Sequence, residues 1–416
     1  MAAATRSRRR GKPPLEYSIL YTATLCLLAA GAVMVYSASS AASLLKNGDP
    51  AFFLKRYVLF GAIGLIVMHA ISRGGLRVIR RLTPLLVGVS FALTLAVMVP
   101  HVGITVNGAT RWLGAGPVQF QPSELLKVAL TLYSAGLLAS RPRCLRSVRE
   151  LSRPLLMVVG AACLLLLAQP DMGTAMVICF STFALLIAAG AKLRHLGTIL
   201  LVLAVLGLIF AIAEPYRRDR LLSFVNPWHD ASGIGFQAAQ AQIALGSGGL
   251  FGLGLGESVQ KIFYLPEAHT DMILAIVGEE LGVIGISSLA ALYGLIAYAG
   301  FRAAKLARDR YAKLLAAGLT SLILCQAALN FFAVLGMAPL TGVPLPFVSY
   351  GSSNLVVLLG AMGLVLNVAS TGGSAAAGRR RRFQAIDGGA DADSDRRRRD
   401  RGARRARAGH RRRAAG

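Results

Sequence analysis

The sequence predicts an all-α polytopic membrane protein with ten transmembrane helices, large extracytoplasmic loops and a disordered basic C-terminal tail. Three observations carry that prediction. Apolar residues make up 55% of the 416 positions, charged residues only 15%, and the mean hydropathy is +0.59, more than the core of a soluble domain requires. Apolar runs recur with few charges at roughly 18 to 22 residues, the length a bilayer demands of a helix. Lys and Arg alternate from loop to loop, dense on one side and sparse on the other, as the positive-inside bias requires.

The runs lie near residues 17–37, 57–71, 82–99, 123–139, 154–168, 173–191, 196–213, 271–300, 314–335 and 351–369. An even number puts both termini on one side. Loops on that side carry Arg73, Arg77, Arg80 and Arg81, then the arginines between Arg141 and Arg153, then Lys192 and Arg194, then the basic residues from Arg302 to Lys313. Both termini are therefore expected in the cytoplasm. The organisation is a basic segment over 1–16, a ten-helix domain over 17–370 and an Arg-rich tail over 371–416. The first run is too long for a signal-peptide core and is read as retained. The net charge of +26 resides in short loops and in the tail, which points to topology and anionic lipid; nucleic-acid binding, which needs a folded basic face, is not expected. Cys26, Cys163, Cys179 and Cys325 fall in apolar runs and Cys144 falls among arginines, so no disulfide framework follows.

Two external segments, about 101–122 and 214–270, are longer than a connection requires, and loops of that length are functional or disordered. Both contain aromatic residues and glycines without charge repetition, so the chemistry is expected outside. The second delivers Glu267, His269 and Asp271 to an apolar helix that carries Glu279 and Glu280 inside it. Carboxylates there cost several kcal/mol unless paired or used. Asp271 either caps the helix or serves as a general base at the edge of a water-lined cavity.

Gln121-Pro122-Ser123-Glu124 opens another helix on the same side, with Lys127 one turn in. Glu124 and Lys127, three apart, share a face and can pair with each other or meet Asp271. Arg111 either anchors its loop at the headgroups or binds a phosphate bidentately. Asp171 lies in a tight external turn, explained either by turn chemistry alone or by a place at the cavity rim; Arg217, Arg218 and Arg220 either pair with Glu214 and Asp219 or receive a phosphate; Lys261 is a further candidate cation near Asp271. At least one of Glu279 and Glu280 is read as facing the bundle interior, for packing or hydrogen bonding or for catalysis. The glycines from Gly246 to Gly256 fit no nucleotide loop. The last external connection, PLTGVPLPFVSYGSS, fits an irregular segment tolerated at membrane depth only under cover, with Ser349, Tyr350 and Ser353 lining a cavity or simply packing.

The strings NGATRWLG, QPSELLK, QPDMGT, AEPYRRDR, GLGLGESVQK, YLPEAHTD, GEELG and PLPFVSYG together resemble the SEDS family, the FtsW and RodA proteins of bacterial cell-wall synthesis. GESVQK, LPEAHTD and GEELG are closer to the division branch, FtsW, and TGVPLP to RodA. One departure is the run Gly351-Ser352-Ser353-Asn354, where the family usually has Gly-Gly-Ser-Ser. The resemblance implies a ten-helix peptidoglycan glycosyltransferase that polymerises lipid II on the outer face of the membrane. It implies that Asp271 matches the essential aspartate, that Glu124, Lys127 and Arg111 line the central cavity, and that the partner is a class B penicillin-binding protein among other divisome proteins. No metal site built by the protein is expected; a Mg or Mn ion would be held through the substrate diphosphate. Rival readings are a lipid II flippase and a non-catalytic division scaffold.

Overall fold

The computed structural model describes residues 13–106, 109–115, 118–213, 224–230, 233, 235–262 and 264–372. The chain forms α1 (Leu15–Asn47), α2 (Phe52–Arg73), α3 (Leu76–Ala96), then strands β1 (Gly103–Val106), β2 (Ala109–Ala115) and β3 (Val118–Phe120). There follow α4 (Pro122–Ser140), α5 (Met157–Ala168), α6 (Met172–Ala189), α7 (Leu193–Ala213), α8 (Phe236–Gly248), α9 (Ile273–Leu306) and α10 (Arg310–Val334), and the described part ends in α11 (Ser352–Gly372). Seven of these, α1, α2, α3, α6, α9, α10 and α11, are long and apolar enough to cross a membrane.

Local chemistry sets the helix limits. Gly48 ends α1 in the left-handed region and donates to the Leu44 carbonyl, the role for which a residue without Cβ is favoured. Pro122 occupies the first turn of α4, where its missing N–H costs nothing. Asp171 caps α6 through the Thr174 N–H, and Asp309 caps α10 through Ala312. At 33 residues α1 is about 50 Å long, more than the ~30 Å of a hydrocarbon core, and so projects beyond it.

α10 and α11 are buried almost all round and form the centre, whereas α2 and α3 bury little of their surface. An apolar helix that presents most of its sides outward needs lipid around it. The first long external segment adds to the helical expectation a three-stranded antiparallel meander in the order β1-β2-β3, in which Ile104 faces Trp112 and Leu113 faces Phe120.

The bundle has two chemically distinct ends. At one end Arg302 meets Glu16 at 2.8 Å, Arg80 lies over the Tyr311 ring, and the Asn367 amide donates to the carbonyls of Ser72 and Gly74. The basic connections after α2 and α9 thus lie together beside the start of α1 and the end of α11. A cavity of about 900 Å³ lined by Arg141, Arg143, Arg149 and Arg153 with Glu150 opens beyond the end of α4; none of the residues expected to carry chemistry lines it. The opposite end gathers the sheet, the α5–α6 turn, the segment before α9 and the segment before α11.

Candidate active site

The segment between α10 and α11 is the floor of the site. Its prolines, Pro344 and Pro346, bring carbonyls but no N–H groups, and the chain is irregular at a depth where such groups must find partners. Four side chains supply them. Asn330 donates to the Val343 carbonyl at 2.8 Å and Gln326 to Pro344 at 2.9 Å, both from α10; Tyr293 of α9 donates to Pro346 at 2.5 Å and Tyr57 of α2 to Phe347 at 2.5 Å. Ser349 accepts from the Leu345 N–H at 2.8 Å. This clasp holds Phe347 at φ 65°, a conformation a bulky residue adopts only when its surroundings impose it.

Asp271 sits at the mouth, half-buried, one residue ahead of Met272. Met272, not Asp271, holds the N-cap position of α9 and makes no side-chain cap bond. The Asp271 carbonyl accepts from Asn330 Nδ2 at 2.7 Å, and the Thr270 hydroxyl lies 3.2 Å from Oδ1. Gly342, with φ at +68°, passes so close that a Cβ there would sit 3.9 Å from Oδ2. On the other side of this segment Gly173 packs against Thr341; a Cβ at Gly173 would lie 2.4 Å from the Thr341 carbonyl oxygen. One irregular stretch therefore separates the start of α9 from the start of α6. His269 packs with its ring tilted against Phe53, at 4.3 Å, and Tyr350, at 5.7 Å between ring centroids, and its carbonyl accepts from the Tyr350 N–H at 3.0 Å. Burial pushes the imidazole below its usual range and Lys46 adds to that, against Glu267, which favours the cation.

Deeper in, Lys127 Nζ lies 2.9 Å from Glu124 Oε2 and donates to Gln326 Oε1 at 2.7 Å; both ionic side chains are almost wholly buried. Gln326 in turn donates to Asn354 Oδ1 at 3.2 Å, so the departure at Asn354 occupies a place in the network. Two buried polar atoms around this floor, Asn330 Oδ1 and Thr341 Oγ1, have no hydrogen bond within the protein. Buried polar atoms without partners are uncommon and mark places where something else completes them.

The rim is built from the turn after α5. Arg111 donates through Nε to the Gln169 carbonyl at 3.1 Å and through Nη2 to that of Pro170; a guanidinium has five donors, so three remain beyond these two bonds. Asp171 Oδ2 accepts from Ser123 at 3.3 Å and Gln121 Nε2 at 3.4 Å, and the Gln121 N–H donates to Ser353 Oγ at 3.0 Å. Among the described residues no group of three His, Cys, Asp or Glu could hold a metal ion. Asp171 is held by three donors and Glu124 is paired with Lys127, so these residues do not fit a resident divalent ion.

Lys261 and Glu280 belong to a different cluster. Lys261 Nζ reaches Glu280 Oε1 at 2.9 Å, the Gly256 carbonyl at 2.6 Å and Ser37 Oγ at 3.3 Å; the three donors of the ammonium are all engaged. Lys261, expected as a cation near Asp271, is engaged in a buried pair between the loop before α9 and Glu280 of α9, with Ser37 of α1 beside it. Glu279 takes the N–H groups of Val259 and Gln260 and the Ser258 hydroxyl, and so fastens the loop before α9. Immediately beyond, α9 breaks at Gly282, φ 64° and ψ −160°. The peptide groups this frees are taken by the glycine-rich stretch after α8: Leu253 and Gly254 N–H donate to Glu279 and Glu280 carbonyls, and Val283 and Ile284 N–H to those of Gly249 and Leu250. The glycines from Gly246 to Gly256, which fit no nucleotide loop, thus allow backbone to dock on backbone.

Comparison with known proteins gives the family. The family model FTSW_RODA_SPOVE, described as cell cycle protein, matches residues 18–372. The chain belongs to the FtsW/RodA/SpoVE family. Stage V sporulation protein E of Bacillus subtilis is 41% identical over 353 residues, 84% of this chain and 96% of that protein. A probable peptidoglycan glycosyltransferase FtsW of Thioalkalivibrio sulfidiphilus is 42% identical, covering 84% and 88%. Among solved structures, a chain of a peptidoglycan synthase complex superposes with a TM-score of 0.69 at 30% identity, covering 84% of this chain and 96% of its own. The rod shape determining protein RodA of Thermus thermophilus superposes at 0.62, also with 30% identity, covering 84% and 95%. The match to FtsW/RodA/SpoVE proteins spans every described element from α1 to α11.

The structure brings Asp271, Glu124, Lys127, Asp171, Gln121, Arg111, His269, Ser349 and Ser353 to one end of the bundle. Arg217 and Arg220, with Arg218, lie outside the described residues. Tyr57, Tyr293, Gln326 and Asn330 are site residues that carried no assignment in the sequence; Asn354 stood out there only as a departure from the family's usual run. Gln326 and Asn330 carried a signal: two amides four apart inside an apolar run share one helix face, and polar groups there need a partner.

Proposed function

We propose that this peptidoglycan glycosyltransferase polymerises lipid II on the outer face of the cytoplasmic membrane, with Asp271 as the general base. Counting α4, α5 and α7 as spans gives ten, both termini fall in the cytoplasm by the basic face of the bundle, and the clasped end faces outward. Asp271 takes the proton from the C4 hydroxyl of the acceptor N-acetylglucosamine as that oxygen attacks the anomeric carbon of the growing chain. Undecaprenyl diphosphate leaves with inversion. Arg111 keeps three donors for the leaving diphosphate, and Lys127 supplies positive potential beneath it. A divalent ion, Mg or Mn, enters only as a companion of the diphosphate. The Lys261–Glu280 pair is assigned to the scaffold.

The observation that carries this reading is the half-exposed carboxylate of Asp271, whose backbone carbonyl is held by Asn330, at a mouth where two buried polar atoms, Asn330 Oδ1 and Thr341 Oγ1, lack partners in the protein. A second lipid-linked sugar at the mouth fits both the donors and the orphaned acceptors. By the likeness to a chain of a peptidoglycan synthase complex, the partner is a class B penicillin-binding protein that crosslinks the strands, within the assembly that builds the division septum.

The test is glycan synthesis from purified lipid II by the full chain, alone and with its class B partner, comparing wild type with Asp271→Asn. Asn keeps the size and any capping ability but loses the basic carboxylate. Removal of a general base costs about a hundredfold to ten-thousandfold in rate. Near wild-type polymer from Asp271→Asn refutes the base assignment. Wild type that makes no polymer under any partner condition while moving lipid II across liposomes refutes polymerisation itself in favour of translocation.

A further inference from the structure

The α5–α6 hairpin holds a chemical group that the glycosyl transfer does not use. Cys163 of α5 and Cys179 of α6 face each other with their Sγ atoms 3.6 Å apart, both side chains half-buried, and the Cys163 thiol is also 3.9 Å from the Ala175 carbonyl. Cys163 stands five residues before the end of α5 and Cys179 seven after the start of α6. At 1.5 Å per residue both are about 8–10 Å below the turn. The two thiols therefore meet at equal depth across an antiparallel hairpin, where contact is a matter of register. No movement of one helix along the other is needed to join them.

We propose that Cys163 and Cys179 are a modification site, a membrane-embedded dithiol that a lipid-soluble oxidant of the quinone class closes reversibly into an intramolecular disulfide. The step balances: two S–H bonds break, one S–S bond forms, and two electrons and two protons pass to the quinone, which leaves as quinol. A water-soluble oxidant reaches this depth poorly, whereas a quinone partitions into the same layer. Closing the sulfurs from 3.6 Å to a bond length of about 2.05 Å draws the two helices together by rotation at Cβ and a small shift. The loop so closed contains Gln169, Pro170 and Asp171, which hold Arg111, Gln121 and Ser123. Disulfide formation therefore acts on the rim, and, on the reading of the site given above, slows polymerisation.

The experiment uses the full chain in lipid nanodiscs treated with tetramethylbenzoquinone, a fully substituted quinone that accepts electrons but offers no unsubstituted ring position for thiol addition. Free thiols are blocked with N-ethylmaleimide, disulfides are reduced, and the thiols released are labelled with a heavier maleimide and located by peptide mass. The expected result is label on Cys163 and Cys179 and on no other of the five cysteines, lost in either Cys163→Ser or Cys179→Ser and unchanged in Cys26→Ser. Wild type that gains no label, or gains it on Cys26, Cys144 or Cys325, overturns the proposal. In parallel, the polymerisation rate of oxidised wild type is expected to fall about tenfold and to return with dithiothreitol, because sub-ångström to ångström misplacement at a site is costly; Cys163→Ala/Cys179→Ala should not respond. An unchanged rate with the disulfide present overturns the link to the rim. The thiol count needs no glycosyltransferase activity, so its outcome is separate from that of the functional assignment.

Discussion

The buried Lys261–Glu280 pair gives a sharp test of scaffold against substrate roles. Glu280 is fully buried and Lys261 is 8% exposed, and the Ser37 hydroxyl lies 2.6 and 2.8 Å from the two Glu280 oxygens. Lys261→Met leaves a carboxylate in the interior with one hydroxyl for company, and breaking a buried pair from one side costs about 3–5 kcal/mol. Glu280→Met leaves the ammonium its carbonyl partner at Gly256 and falls at the low end of that range. The double substitution, Lys261→Met/Glu280→Met, removes both charges and is expected within ~1 kcal/mol of wild type, since apolar replacement of buried pairs is often neutral or stabilising. The cycle therefore predicts a coupling of several kcal/mol. The assay is unfolding in mixed micelles followed by the fluorescence of Trp112 and Trp228, with polymer synthesis measured on the same preparations. A scaffold pair returns both stability and polymer in the double variant. A double variant that is stable but makes no polymer would show that Lys261 acts on substrate, and a Lys261→Met protein as stable as wild type would refute the buried pair.

Three further outcomes follow from the same structure. Asn330→Leu removes bonds to both Val343 and Asp271 and should lower the polymerisation rate about a hundredfold while the protein still elutes as a folded species; an unchanged rate argues that the clasp does not position the base. Gly282→Ala puts a Cβ 2.5 Å from Gly252 N at φ +64°, so a loss of roughly 3 kcal/mol or more in unfolding is expected; Gly294→Ala, with nothing within 4 Å, should be neutral or gain up to about 1 kcal/mol. For His269 the folded state holds the imidazole below its unfolded value of about 6.5, so unfolding takes up a proton as pH falls through that value and stability declines on acidification. His269→Phe keeps the ring packing and should flatten the stability profile between about pH 7 and 5.5; an unaltered slope places the titration elsewhere.

Much of this was legible in the residues because the bilayer leaves so few options. Hydrophobic run length located α1, α2, α6, α10 and α11, and Arg placement sorted the loops onto the basic end that Glu16–Arg302 and Asn367 tie together. The pairing of Glu124 with Lys127 followed from helical spacing alone. The break in α9 did not, because GEELGVIG reads as uninterrupted helix; its cause lies in the docking of residues 249–254, a long-range event. The partners of Lys261 were hidden for the same reason: its meeting with Glu280 and Ser37 depends on a loop that turns back against α1. The sheet over 103–120 was hidden by short strands with too few alternations to register.

The four side chains on the carbonyls of Val343, Pro344, Pro346 and Phe347 come from three helices, α2, α9 and α10, of which α2 lies far from the other two in the chain. A loop tethered at one point copies every excursion of its anchor. A loop surveyed from three bearings is fixed by their intersection, and the drift of any single helix moves that intersection by only a fraction of its own displacement. Precision at the mouth of the bundle is in this sense a property of triangulation, and it leaves each individual helix free to respond to the thickness and tension of the surrounding lipid.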